Sequence, residues 1–291
     1  MPTYVARISA ARADAELLAG LLTEMLDPPP AVGASEGADG WLIEAYFVEP
    51  PNPAALAAVA DSFPHLAAIR SLELETVPDE DWVARTQRGL HPIEAGRFFV
   101  HGSHDRALVK AKPFAIEIDA GQAFGTAHHG TTRGCLILLD RLAKREKPGS
   151  VLDLGTGSGV LAIAAAKSLR AHVTASDVDP IAACVARENC ARNGVAARVT
   201  AVIADGVNDP AIQGAAPFDL VMANILADPL LAIASDVTRI MCPGGHLILA
   251  GVLDDQAREV FGRYRGLGFR LSAKISLQGW TSMHLRRFGA T

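Results

Sequence analysis

Val151-Leu-Asp-Leu-Gly-Thr-Gly-Ser-Gly-Val-Leu-Ala162 is the stretch whose reading decides the fold. Val151 to Leu154 read as a buried strand carrying one acid, Asp153. Glycines follow at every second position, Gly155, Gly157 and Gly159, and the Ala- and Leu-rich run Val160 to Leu169 reads as a helix. A strand, a glycine turn and a helix form the opening of a nucleotide-binding α/β unit. Glycine suits the turn because it is tight and because backbone must approach a ligand with no Cβ in the way.

The spacing bears on which nucleotide. A dinucleotide fingerprint, G-x-G-x-x-G, needs glycine at position 160, where this chain has Val160. Asp153, beside the turn, would repel a pyrophosphate but could hold the ammonium of an amino acid. The pattern favours S-adenosylmethionine over NAD. His172 to Ser176 read as the second strand, closed by Asp177, which lies 22 residues after Gly155. An acid roughly 20 residues on is placed to accept from ribose hydroxyls. Asp179 and Pro180 supply an N-cap and a first-turn proline for the next helix. A glycine turn in an ordinary βα unit would account for the glycines but not for Asp177 in register.

Composition sets the bounds. A chain of 291 residues, 49% apolar, suits one large domain or two smaller ones with an ample core. No run of about 18 residues lacks charge, so no membrane association is expected. The N-terminus lacks a basic and apolar signal pattern, and Cys135, Cys184, Cys190 and Cys242 fall at no disulfide or metal spacing. A cytoplasmic protein is expected. Charge is uneven: residues 1–76 hold 3 Lys and Arg against 11 Asp and Glu, a net of −8, within a total of −5. An acidic front part repels phosphate backbones and attracts basic partners.

In that front part, Tyr4–Ile8, Trp41–Val48 and Ile69–Thr76 read as strands. Helical spacing over Leu17–Leu26 and Pro53–Ser62 separates them, with room for one short extra strand in 31–40. The order suits a small ferredoxin-like α+β domain over 1–76, read as a substrate-recognition module. Pro78 to about Gly89 reads as a linker helix within a linker at 77–97. The rest, 98–291, reads as the catalytic domain. It opens with short strands at Phe98–His101 and Phe114–Ile118 and a polar loop, Gly121 to Thr132. His128 and His129 in that loop have no neighbouring ligand, and no metal site is expected.

Further strands are expected at Arg198–Ile203, Phe218–Ala223, 245–250 after Pro243-Gly-Gly, about 269–276 and about 280–287. Helices are expected over 181–193, 228–241 and 254–266. Ligands of open α/β sheets bind at the carboxyl ends of the strands. Asp205, at the third strand tip, would there accept from an adenine amino group. Asn224, beyond the fourth, would face the methyl donor.

Val151–Ala162 with Asp177 resembles the class I S-adenosylmethionine-dependent methyltransferases, a Rossmann-like fold of seven strands with the last antiparallel. Phe124-Gly-Thr-Ala-His-His-Gly-Thr-Thr132 with Asn224-Ile-Leu-Ala227 is similar to a narrower family, the PrmA methyltransferases of ribosomal protein L-eleven (L11). The resemblance implies a recognition domain, a linker helix and a catalytic domain. It also implies cofactor contacts at Thr132, at Gly155 in the turn, at Asp177 and at Asn224, which serves the catalytic step; Gly157 of the same turn is a further candidate cofactor contact. The implied substrates are lysine and N-terminal amines of L11, free or on the ribosome, with no direct nucleic-acid recognition. One departure is Ala127, where the family has glycine and a positive φ would strain an alanine.

Other readings compete. Methylation of bases or glutamine amides goes with N-P-P-Y, whereas Ile225 and Leu226 follow Asn224 and offer no stacking ring. Methylation of a small-molecule amine would need no separate front module, although another basic protein would. A non-catalytic binding protein would not need Asn224.

Overall fold

The computed structural model describes residues 3–10, 31–37, 40–47, 51, 72–77, 92–109, 112–119 and 130–288. The helices expected over 17–26 and 53–62, the linker helix after Pro78, and the loop bearing Ala127, His128 and His129 lie outside the described residues. The chain divides into two compact units, Met1–Thr86 and Gln87–Thr291.

The first unit contains β1 (Thr3–Ala10), β2 (Ala31–Gly37), β3 (Gly40–Phe47) and β4 (Leu72–Val77). They form an antiparallel sheet in the order β2-β3-β1-β4, the strand order of a ferredoxin-like domain. The extra strand near 31–40 is β2, paired with β3 from Ala31 to Gly37. Alternation sorts the faces. Ala6, Ile8, Ile43, Ala45 and Phe47 are buried on one, while Arg7 and Glu44, opposed across β1 and β3, pair at 2.9 Å on the other.

The second unit opens with β5 (Ile93–Ala95), β6 (Phe98–His101) and β7 (Ala115–Glu117), a small sheet of its own. Residues 93–95 were expected in the linker. Ala95 is instead buried in the core of the second unit, because Ile93 and Ala95 suffice when β6 supplies their strand partners. Asn193 docks this sheet by mimicking a strand neighbour: its Oδ1 accepts from Glu117 N–H at 2.9 Å and its Nδ2 donates to Glu117 O at 2.8 Å. Lys167 Nζ donates to Ala115 O and to Asn193 Oδ1.

The main sheet contains β8 (Ser150–Leu154), β9 (His172–Asp177), β10 (Val199–Ile203), β11 (Phe218–Asn224), β12 (Met241–Leu253), β13 (Phe269–Leu277) and β14 (Trp280–Arg287). Its order is β10-β9-β8-β11-β12-β14-β13, with only β14 antiparallel to its neighbours. This is the seven-stranded class I methyltransferase arrangement expected from the sequence.

Helices α1 (Gly130–Ala143), α2 (Val160–Leu169) and α3 (Pro180–Arg192) contribute to the core on one face. Helices α4 (Pro210–Ala215), α5 (Ala227–Arg239) and α6 (Ala257–Gly266) contribute to the core on the other. Alternation divides the sheet residues between them. Val151, Leu220, Met222 and Ile248 face the α1 side, and Leu152, Val221, Ala223 and Leu249 the α5 side. α2 is buried along nearly its whole length, and its alanines let the backbone lie close to the sheet.

Two local readings are corrected. Pro243-Gly-Gly does not precede β12 as a turn but sits inside it, in a register shift between the Phe218–Met241 and Leu220–His246 pairings. α4 was not anticipated, since six residues carry too little periodicity to read, although Asp209 caps it by accepting from Ala211 N–H at 2.8 Å.

β12 breaks register again between Leu249 and Val252, at Gly251. Gly251 has φ +82°, and a Cβ there would collide with the Ile225 carbonyl oxygen. Substitution Gly251→Ala adds strain and a backbone clash together. Denaturant unfolding should show a loss of about 2–4 kcal/mol. A loss below about 0.5 kcal/mol would mean that the strand relaxes freely at this point.

Candidate active site

The glycine turn is held from three sides. All three of its glycines have positive φ, +69° at Gly155, +54° at Gly157 and +83° at Gly159, which is why glycine recurs at every second position. From β9, the Ser176 carbonyl accepts from Gly155 N–H at 2.8 Å and Thr156 N–H at 2.9 Å. Asp177 Oδ2 accepts from Gly157 N–H at 2.8 Å. From α3, Asn189 Nδ2 donates to Ser158 O at 2.9 Å.

Asp153 holds the turn from within. Gly159 sits at the N-cap of α2 and has no side chain to cap with. Asp153 Oδ2 takes that role, accepting from Ala162 N–H at 3.0 Å and from the Thr156 hydroxyl at 2.6 Å. The side chain is 1% exposed and does not line the neighbouring cavity. Oδ2 thus has a structural role, capping α2, while Oδ1 has no hydrogen-bond partner. Alternation along β8 points Asp153 toward α2, while Leu154 reaches the cavity.

That cavity, about 460 Å³, opens at the carboxyl ends of β8, β9, β10 and β11. Its lining brings together Thr132, Gly155, Gly157, Asp177, Asp205 and Asn224 from the expected set. Thr132, expected in the loop, lies in the first turn of α1 and is fully buried. Gly130 and Gly134 seat this end of α1, since a Cβ at either would strike Leu277 O or Ser282 Oγ of the β13–β14 hairpin. Asn224 shares the α1 side of the sheet with Leu220 and Met222, and its Nδ2 donates to Thr132 Oγ1 at 3.1 Å. This leaves its carbonyl oxygen as the end of the amide not engaged with Thr132.

The apolar walls were not picked out from the sequence. Leu154, Val160, Val178, Ile225, Pro229 and Ile233 line the cavity. Val178 and Ile225 each follow a polar strand-tip residue, and that position was a readable signal. Ser176 also lines it, with a buried hydroxyl that has no hydrogen-bond partner, and nothing in its sequence context marked it.

The lining fits S-adenosylmethionine. Asp177 and Asp205 are acceptors at adjacent strand tips, suited to ribose hydroxyls and an adenine amino group. Gly155 gives Ile225 room at the cavity wall, since the Ile225 Cγ2 would lie 2.5 Å from a Cβ at that position. The volume is in the range of small-molecule sites, about 300–1,000 Å³. Asp177 and Asp205 are the only titratable residues of this lining among the described residues. No group of three metal-ligating side chains occurs among the described residues either.

Comparison with known proteins places this site. The family described as Ribosomal protein L11 methyltransferase (PrmA) matches residues 18–288. The chain belongs to this family. A ribosomal protein L11 methyltransferase from Rhodopseudomonas palustris (strain BisB5) is 45% identical over 277 residues, covering 94% of each chain. One from Bradyrhizobium diazoefficiens is 44% identical over 291 residues, covering 99% of each. Among solved structures, a ribosomal protein L11 methylase from Lactobacillus delbrueckii subsp. bulgaricus aligns with a TM-score of 0.62 at 27% identity. That alignment covers 69% of this chain and all of the other. In this family member, the glycine turn and the N-I-L-A segment thus meet at one cavity.

Burial pushes the Asp153 carboxyl up to about 6, against the lowering effect of its bonds from Thr156 and Ala162, and the Asp177 charge adds to the rise. An acid raised in the folded state keeps a proton that the unfolded chain releases. Stability therefore falls as pH rises from about 4 to about 6, by about 3 kcal/mol in full. Asp153→Asn does not titrate. From pH 4 to pH 7 its unfolding free energy should gain about 2–3 kcal/mol relative to the parent chain. A pH-independent difference would show that the carboxyl is not shifted.

Proposed function

We propose that this protein transfers methyl groups from S-adenosylmethionine to amines of ribosomal protein L11, the lysine side chains and the N-terminal amine. The observation that carries this reading is Asn224 at the tip of β11, tied to Thr132 at the edge of the cavity, in a chain of the L11 methyltransferase family. Asn224, Thr132, Gly155, Gly157, Asp177 and Asp205 form the working set, with Asp153 bracing the turn.

The sulfonium supplies an already activated methyl group. The protein has mainly to align a neutral nitrogen with it. A lysine amine has a solution pKa near 10.4 and an α-amine one near 7.7–8.0, so the amine must arrive or become deprotonated. Apolar walls at Leu154, Val178, Ile225 and Ile233 exclude water and disfavour the ammonium form. Asn224 Nδ2 is occupied by Thr132, so Oδ1 accepts an N–H from the amine and turns its lone pair toward the methyl group. An amide is not a strong base, and bulk water takes the proton.

Residues 1–76, with their net charge of −8, serve as the recognition module. A basic substrate is attracted to such a surface, and a phosphate backbone is repelled. Linking the module to the catalytic unit raises the local concentration of substrate at Asn224 without new contacts there.

The direct test is transfer of labelled methyl from S-adenosylmethionine to purified L11, with mass mapping of the product. Label on lysines and the α-amine is expected. Cofactor binding without transfer to L11 would overturn the substrate assignment. Asn224→Ala should lower turnover about 100-fold or more while changing cofactor affinity less than about threefold. Asp177→Ala should weaken cofactor binding about tenfold or more through loss of the ribose acceptor and of the Gly157 bond. Equal losses in turnover and affinity for Asn224→Ala would refute its role in alignment.

A further inference from the structure

A second cavity, about 510 Å³, lies away from the one described. Arg141, Arg145 and Glu146 border it from the end of α1 and just beyond, His246 from β12, and His284 and Arg286 from β14. Strand pairing places them together: His246 stands opposite Arg286, and Ile248, two residues on, stands opposite His284. Ile248 faces the α1 side, so His246, His284 and Arg286 face that side as well. These residues sit toward the amino ends of the parallel strands, whereas the strand-tip cavity is at their carboxyl ends.

The two imidazoles form a chain at the base. His246 and His284 approach at 3.0 Å through Nδ1 and Nε2, and His246 Nε2 lies 3.1 Å from Glu146 Oε2. With Glu146 as acceptor, His246 donates from Nε2 and receives the Nε2–H of His284. His246 is 5% exposed. Burial lowers the pKa of both, to about 4 for His284, so both are neutral at pH 7.

The charge around this pair does not balance. Glu146 also pairs with Arg286 at 3.6 Å, and it is the only carboxylate of the lining among the described residues. Arg141 lies in the last turn of α1 and Arg145 just beyond its end, and neither has an acidic partner among the described residues. Lys144, between them, is already paired with Asp140 at 2.7 Å on another face. The α1 C-terminus favours a cation in its last turn, which accounts for one guanidinium but not for three around one cavity.

We propose that this cavity binds a phosphate-type oxyanion, clamped by Arg141, Arg145 and Arg286 above the His246–His284 pair. Planar guanidiniums suit such an anion by offering two parallel N–H donors. Its charge would offset the excess of arginine and let an imidazole protonate beneath it. The charged groups that act on the two imidazoles are Glu146 just beyond α1, Asp219 on β11 and Arg286 on β14, and Arg141 and Arg145 line the same cavity. The anion comes either free, as phosphate or a small phosphate ester, or as part of a nucleic-acid backbone.

The test titrates the full chain with inorganic phosphate, and separately with a single-stranded oligonucleotide, in chloride buffer at constant ionic strength. Imidazole NMR signals of His246 and His284 provide the readout. Saturable shifts with phosphate are expected, with the His284 pKa moving upward. An R141Q/R145Q double variant, both side chains exposed, should bind phosphate at least tenfold more weakly with unchanged S-adenosylmethionine affinity. A saturable response to the oligonucleotide alone, lost in the variant, would identify the backbone as the source. No saturable shift with either probe, or equal affinity in the variant, would overturn the site.

Discussion

Much of the catalytic unit depends on one carboxylate oxygen. Asp153 Oδ2 accepts from Thr156 in the glycine turn and from Ala162 in the first turn of α2, and so joins strand, turn and helix. The helix needs this outside cap because Gly159, required at its N-cap by a φ of +83°, carries no side chain. Glycine and acid are therefore complementary: the residue that permits the turn removes the local cap, and the preceding strand restores it. Burial disfavours the carboxylate, and Oδ1 is left without a partner. That arrangement persists because the turn is held again by the Ser176 carbonyl and by Asp177.

The period-two alternation of the strands then sets where the chemistry stands. Asn224 follows Leu220 and Met222 on the face toward α1 and meets Thr132 there. The same rule sends Asp153 toward α2 and Leu154 into the cavity. Shifting β8 by one residue would exchange those two and remove both the helix cap and an apolar wall. Ile225 fills the space between Gly155 and Gly251, so two glycines far apart in the chain are fitted to one side chain and its carbonyl.

Where a signal is local, sequence and structure agree closely. Val160–Leu169 is helical at the limits that its composition indicated, and Asp179 caps α3 by accepting from Ile181 N–H at 2.8 Å. The differences arise where a distant partner decides. Gly130–Thr132 look like loop residues but form the first turn of α1, because the β13–β14 hairpin packs against their glycine face. Pro243-Gly-Gly looks like a turn but bulges inside β12, held between β11 and its own strand. Ile93–Ala95 is too short to read as a strand without β6 beside it.

The sequence by itself determined the strand–turn–helix opening, the seven-strand plan and the polar residues at the strand tips. Each follows from glycine φ, hydrophobic period and cap chemistry within about ten residues. Only the tertiary structure decided that Asp153 caps α2 through one oxygen, and that Asn224 is oriented by Thr132. It alone placed Ser176, Val178 and Ile225 in the cavity wall and gathered Arg141, Arg145 and Arg286 around His246 and His284. These are contacts between elements far apart along the chain, created when the sheet and its helices pack, and no local pattern encodes which side chains then meet.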